Sequence, residues 1–287
     1  MIVSAIAKGL QNTFNISGAV GLGSAANIFV GMVEAPLFVR PYLARMTQSE
    51  LFILMTTGLA TIAGTVLILS VTFVQGVVEN PTQHLLIASL ISVPASIAIA
   101  LVMVPPNSPA TSTAPNVPLS PFTTPSPHAS AMDAIVEGTE NGLKLCLQIV
   151  ALLIVLVALV HLCNAILGWV FPSIDGAPIT LQRILGVVCA PLAWAMGVAW
   201  SECLIAGQLI GLKTVLNELI AYRQLAELPA ESLSEHSRLI LIYALSGFAN
   251  IGSLGILIAG FSVMAPERRI EIIALGPRAV LGGTLAT

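Results

Sequence analysis

From Leu51 to Val78 the chain carries no charged residue, and the same holds for Leu85–Val104, Leu145–Ile174 and Leu239–Ala265. A helix needs about 20 mostly apolar residues to cross a bilayer, and these runs meet that length. Inside hydrocarbon, only helices and closed barrels satisfy every backbone N–H and C=O. Long continuous apolar runs read as helices rather than as alternating strands. Composition agrees: 56% of the 287 residues are hydrophobic and 9% charged, where a soluble domain carries about 25% charged residues. The chain reads as an all-α polytopic membrane protein.

That reading excludes several classes. There is no basic tract or aromatic-basic face, so nucleic acid is not an expected partner. Cys146, Cys163, Cys189 and Cys203 all lie in apolar segments without a CxxC spacing. They read as small buried hydrophobes, not as a disulfide framework or a zinc site. His84, His128, His161 and His236 are scattered, with no HExxH and no Ser/His/Asp-like grouping, and nothing favours an enzyme. The start has one Lys and no sustained apolar core, so it does not read as a cleavable signal. The end, "RAVLGGTLAT", stops where an apolar helix begins; both ends read as those of an incomplete chain.

Residues 105–131 are rich in Pro, Ser and Thr and uncharged, and read as an aqueous loop without a core. They divide a first repeat, 1–104, from a second, 132–287. The halves share a motif. "GLATIAGT" spans Gly58–Thr65 and "GFANIGS" spans Gly247–Ser253, both Gly-x-Ala-x-Ile followed by Gly and a hydroxyl residue, with one extra Ala before that Gly in the first. Each follows a polar stretch and an apolar run, and each lies downstream of a buried-looking carboxylate, Glu34 or Glu218. Interrupted segments at matching places in two halves are the pattern of transporters built from inverted repeats. Helices unwound at such clusters free backbone groups that can hold an ion or a polar substrate, with Thr61, Thr65 and Ser253 adding hydroxyl oxygens. Lys8, Arg40, Arg45, Lys144, Arg268 and Arg269 fall on one side of the expected topology and Arg183, Arg223 and Arg238 on the other, and the excess makes the first side the cytoplasmic one.

The carboxylates carry the functional expectation. An acidic side chain at a helix centre costs about 2.5–3.5 kcal/mol on insertion scales, and such residues mark functional sites. In "NIFVGMVEAP" (27–36), Glu34 stands directly before Ala35 and Pro36. The residue before a Pro is pushed out of the helical region. The stretch therefore reads as the tip of a re-entrant hairpin turned by Pro36, with Glu34 at the turn. "CAPLAWAMGVAW" reads as a short segment broken by Pro191. "MDAIVEGTENGLKL" reads as an amphipathic helix ahead of a spanning helix at Leu145–Ile174.

These motifs resemble the concentrative nucleoside transporters. "NIFVGMVEAPLFVRPYLARMTQSELFILMTTGLATIAGTV" resembles their first hairpin and following helix. "ILGVVCAPLAWAMGVAWSECLIAGQLIGLKTVLNELIAY" resembles their second hairpin, and "YALSGFANIGSLGILIAGFSVMAPERRIEIIALGPRAVLGGTLA" their last two helices. The resemblance implies inverted repeats with re-entrant hairpins and interrupted transmembrane helices, in a homotrimer of the plasma (inner) membrane. It implies nucleoside import by alternating access, driven by Na+ or, in some members, H+. The base would sit against Gly31, Met32, Val33, Glu34 and Val66. The ribose would be held by the Asn217-Glu218 pair, Phe248, Asn250 and Ser253. Na+ would be held by Asn27, Val30, Thr61, Ile62 and Thr65, partly through carbonyls. Buried polar partners reject analogues lacking the matching group, which favours ribonucleosides over deoxyribonucleosides. The chain departs from the family at Met32 and Val33, where Gln and then Ser or Thr are usual. The other reading is a truncated or diverged relative that binds or assembles without transporting.

Overall fold

The computed structural model describes residues 2–106, 130–172, 176 and 178–287. The Pro-rich stretch expected at 105–131 lies almost wholly outside them. Among the described residues the chain is helical, with no strand and one isolated bridge between Gln75 and Val78.

The core is laid around α5 (Gln48–Ala60). Thr47 and Glu50 start it with a reciprocal capping box. From Ser49 to Ala60 every residue is buried, as expected of a helix without a polar face. It packs against α2 (Gly18–Ala26), α7 (Pro81–Met103) and α14 (Arg269–Ala286). Small residues set the approach. A Cβ at Gly283 would come within 2.9 Å of Leu59 Cβ, and one at Gly282 within 3.0 Å of Thr56 Cγ2. Close packing of this kind holds helices together where lipid removes the hydrophobic driving force between them.

Two halves repeat one order of elements. In the first, α2 turns through residues 27–33 into α3 (Glu34–Leu37) and α4 (Arg40–Leu43). Next, α5 stops at Ala60, Thr61 and Ala63 are extended, and α6 (Gly64–Val74) resumes. In the second, α10 (Cys203–Val215) turns at Leu216-Asn217 into α11 (Glu218–Glu227). There α12 (Glu235–Ala244) stops, and α13 (Ile251–Met264) resumes after Asn250 in extended conformation. A continuous helix with an internal Pro closes each half: α7 with Pro94, α14 with Pro277. Both interruptions fall on the paired motifs. Within the second half, α9 (Leu181–Ala195) and α10 lie so close that a Cβ at Gly207 would strike the Gly186 carbonyl.

Several local expectations are corrected. Pro36 does not turn the hairpin; it lies in the first turn of α3, where the N–H it lacks has no intrahelical partner in any case. Pro191 does not break its segment, since α9 runs through it to Ala195, and the chain bends at Gly197 with φ +100°. The amphipathic and spanning pieces expected on either side of residue 145 are one helix, α8 (Ala131–Val170). That helix is about 60 Å long at 1.5 Å per residue.

The distribution of side chains is that of a membrane protein. Ile68, Val102, Trp169 and Ile270 point outward and are more than half exposed, while Lys213, Glu218, Asn27 and Asn250 are buried. An apolar exterior of this kind is a liability in water and the norm in lipid. Among the described residues, Gln48–Val74 and Pro81–Met103 are long and apolar enough to cross a bilayer.

Candidate functional site

The helix starts of α3, α6, α11 and α13 meet around one cavity of about 240 Å³. Helix N-termini carry unpaired N–H groups and about half a positive charge each. A cavity built on four of them favours oxygen ligands and carboxylates. The sequence puts carboxylates at two of the four, since Glu34 and Glu218 are the first residues of α3 and α11.

Gly31, Met32, Val33, Glu34, Val66, Asn217, Glu218, Phe248, Asn250 and Ser253 all line this cavity, although the sequence scatters them over more than two hundred positions. Six further lining residues were not anticipated for substrate: Ala63, Thr65, Leu216, Leu219, Gly252 and Ile256. Their missing signal is simple: apolar and small residues next to a turn look like any others in a membrane chain.

Part of the polar lining is organised by two helix caps. Asn217 Oδ1 accepts from Ile220 N at 2.9 Å and so caps α11. Asn250 Oδ1 accepts from Ser253 N at 2.7 Å and caps α13. This leaves Asn250 Nδ2 free to donate to Glu218 Oε2 at 3.2 Å. Glu218 is 5% exposed, so its carboxylate is held by an amide donor and a helix start instead of by water. Glu34 differs. It is exposed, which corrects the expectation of two buried carboxylates, and it folds back over Gly31, where a Cβ would collide with it. Met32 and Val33 add apolar lining. Met32 is buried and packs on Gly58, whose Cβ would lie 3.1 Å from Met32 Cβ. Val33 lodges against Gly260, where a Cβ would meet Val33 Cγ1 at 2.7 Å.

A second polar cluster lies beside the first interruption. Asn27 Nδ2 donates to Thr57 O at 2.9 Å and to Thr61 Oγ1, and Thr61 Oγ1 donates to Thr57 O at 3.0 Å. Asn27 is 3% exposed, and its Oδ1 has no hydrogen-bond partner. A buried orphan acceptor calls for an explanation, and an ion is one. Val30 is in the same turn as Asn27, and Ile62 is in the interruption beside Thr61. The turn touches that interruption, since a Cβ at Gly64 would lie 3.2 Å from Phe29 O. Thr65 instead lines the cavity of the helix starts and is exposed. Thr57, whose carbonyl joins the cluster, was not anticipated.

The family described as Na+ dependent nucleoside transporter C-terminus matches residues 84–287. This chain belongs to that family. Among the family's members, the nucleoside permease NupC of Helicobacter pylori is 36% identical over 290 residues, covering all of this chain and 66% of NupC. The sodium/nucleoside cotransporter 2 of Rattus norvegicus is 32% identical, covering 98% of this chain and 44% of the cotransporter. A solved structure of CNTnw in an inward-facing substrate-bound state matches with a TM-score of 0.86 and 38% identity, over 99% of this chain and 66% of CNTnw. The chain thus spans about two thirds of its bacterial relatives' length and less than half of the rat cotransporter's. The nucleoside transporter family fits the membrane character and the all-helical fold described above.

Proposed function

We propose that this chain forms the substrate- and ion-binding part of a Na+-coupled nucleoside symporter that works by alternating access. The observation that carries the proposal is the mixed lining of the cavity. Glu218, Asn250, Asn217 and Ser253 line it together with Met32, Val33, Val66 and Ile256. A nucleoside asks for both kinds of group: polar partners for a sugar diol and apolar contact for a flat base. Glu218 accepts hydrogen bonds from the ribose hydroxyls while Asn250 Nδ2 donates. Phe248 offers a ring face to the sugar or base, and the base lies between Gly31–Glu34 and Val66. Met32 and Val33 bring no side-chain donor or acceptor, so of the Gly31–Glu34 side chains only the Glu34 carboxylate can hydrogen-bond the base.

The cluster beside the first interruption is the proposed Na+ site. Asn27 Oδ1, Thr61 Oγ1 and the carbonyls of Val30 and Ile62 are hard oxygen donors of the kind Na+ takes, with Thr65 adjoining. The rat relative's name, sodium/nucleoside cotransporter, supports this coupling. The hairpins would then be re-entrant, the assembly a homotrimer and the site of action the plasma (inner) membrane.

Radiolabelled uptake into proteoliposomes holding the full-length protein tests the proposal. Purine and pyrimidine ribonucleosides are expected to accumulate under an inward Na+ gradient and not under a K+ gradient. Accumulation driven equally by a pH gradient without Na+ would overturn the Na+ assignment. Absence of nucleoside uptake under every gradient would overturn the transport assignment itself.

A further inference from the structure

One buried charge has no part in the scheme above. Lys213, in the last turn of α10, is 0% exposed. A buried ammonium is stable only when paired and hydrogen-bonded. Its Nζ donates to Ala244 O at 3.0 Å and to Thr287 Oγ1 at 3.3 Å. Ala244 is the last residue of α12, the half-helix that ends at the second interruption. The ammonium therefore sits at the negative end of a helix dipole, where a cation is favoured. Glu218 is the charged group that acts on it electrostatically.

The end of α12 is fully accounted for. Leu241 O accepts from Leu245 N at 2.9 Å, and Ile242 O from the buried Tyr222 hydroxyl at 2.7 Å. Tyr243 O accepts from Ser246 N at 3.0 Å, and Ala244 O from Lys213. The corresponding place in the first half looks different. There the first arm of the hairpin ends at Asn27, which reaches the end of α5 through Thr57 O, but Asn27 is neutral and keeps a buried acceptor without a partner. In both halves a side chain from the end of the hairpin's first arm reaches the carbonyl end of the interrupted helix. One half brings its own positive charge; the other presents an orphan oxygen.

We infer that Lys213 is a built-in cation: in the second half it does what a bound Na+ does in the first, holding the interrupted helix in the shape that presents Asn250 and Glu218 to the nucleoside. Lys213 touches no substrate and is a positioning residue. The inference rests on the proposed Na+-coupled binding of nucleosides at this cavity.

The test is nucleoside binding to the full-length transporter, titrated at several Na+ concentrations by calorimetry. Lys213→Ala is compared with wild type and with Tyr222→Phe, which removes a neutral hydrogen bond from the same helix end. Lys213→Ala is expected to weaken nucleoside binding at least about tenfold, the cost of truncating one member of a buried charged contact. Methylammonium or ammonium chloride is expected to restore the affinity, and urea at equal concentration is not. Tyr222→Phe is expected to bind with wild-type Na+ dependence. An unchanged affinity in Lys213→Ala overturns the inference, as does a loss that neither ammonium ions nor added Na+ repairs. If Lys213→Ala is not recovered as folded protein, Lys213→Gln, which keeps a neutral donor but no charge and leaves no room for an ammonium ion, is expected to lose nucleoside affinity, and an unchanged affinity there overturns the inference. A wild-type protein that binds no nucleoside at any Na+ concentration would instead refute the proposed function, which keeps the two failures apart.

Discussion

Glu218→Gln is the substitution whose effect can be worked furthest from the structure. The carboxylate is 5% exposed, begins α11 and receives Asn250 Nδ2 at 3.2 Å. Gln keeps the shape and one acceptor oxygen, but puts an NH2 where the second acceptor stood. That group cannot accept from a hydroxyl, and Asn250 already fills the same space with donors. A hydrogen bond to a charged group contributes about 1.5–3 kcal/mol. Losing the charge and one of two such bonds to a sugar diol should cost about 3 kcal/mol, or roughly two orders of magnitude in affinity at 1.4 kcal/mol per tenfold. The structural cost is smaller: a carboxylate at a helix start contributes about 0.3–1 kcal/mol. Binding of uridine, 2′-deoxyuridine and 3′-deoxyuridine should be measured by calorimetry on both proteins, with thermal unfolding of the ligand-free forms. The expected result is a large loss for uridine, a much smaller one for the deoxynucleoside that already lacks a Glu218 partner, and a modest shift in Tm. An equal loss for all three ligands would refute the reasoning, because it would mean that Glu218 shapes the cavity without touching the sugar.

Three other substitutions probe separate parts of the machinery. Asn27→Leu keeps the branching of the side chain but removes the orphan Oδ1 and both Nδ2 bonds, and should leave nucleoside binding indifferent to Na+ in the same titration. Gly31→Ala puts a Cβ into the Glu34 carboxylate and should weaken nucleoside binding about tenfold while changing Tm little, because the clash is relieved by moving one exposed side chain. Gly207→Leu drives a side chain into the Gly186 carbonyl and Ala190 N and should destabilise the α9–α10 pair by about 1–3 kcal/mol or more, read as a lower Tm and a smaller yield of folded protein.

Much of the fold is written in the sequence because the bilayer leaves few choices. A chain that must satisfy its backbone inside hydrocarbon shows its helices as charge-free runs, and Gly-rich motifs that recur in both halves show where those helices stop. Asn217 and Asn250 were expected at the site through the family resemblance, while their capping of α11 and α13 emerges from the structure. What stayed hidden depends on contacts between distant positions. The Asn27 bond to Thr57 and the Lys213 bond to Ala244 join residues about thirty apart, and no local pattern announces them. Prolines misled for a different reason. Pro36 falls in a first turn and Pro191 inside a continuous helix, two settings that tolerate proline without a break.

The electrostatics of the cavity tie these observations together. Four helix N-termini facing one small space would repel any cation and leave donors without acceptors. Glu218 answers this with a buried carboxylate held by the α11 start and Asn250 Nδ2. Lys213, held by the last carbonyl of α12, is the cationic side chain that acts on it. At the first half, Glu34 is exposed, while the open acceptor of Asn27 remains for an ion arriving from outside. If this division holds, substrate and Na+ affinities should be coupled through Asn27 and the first interruption. Lys213 should set the affinity for nucleoside without changing the sign of that coupling.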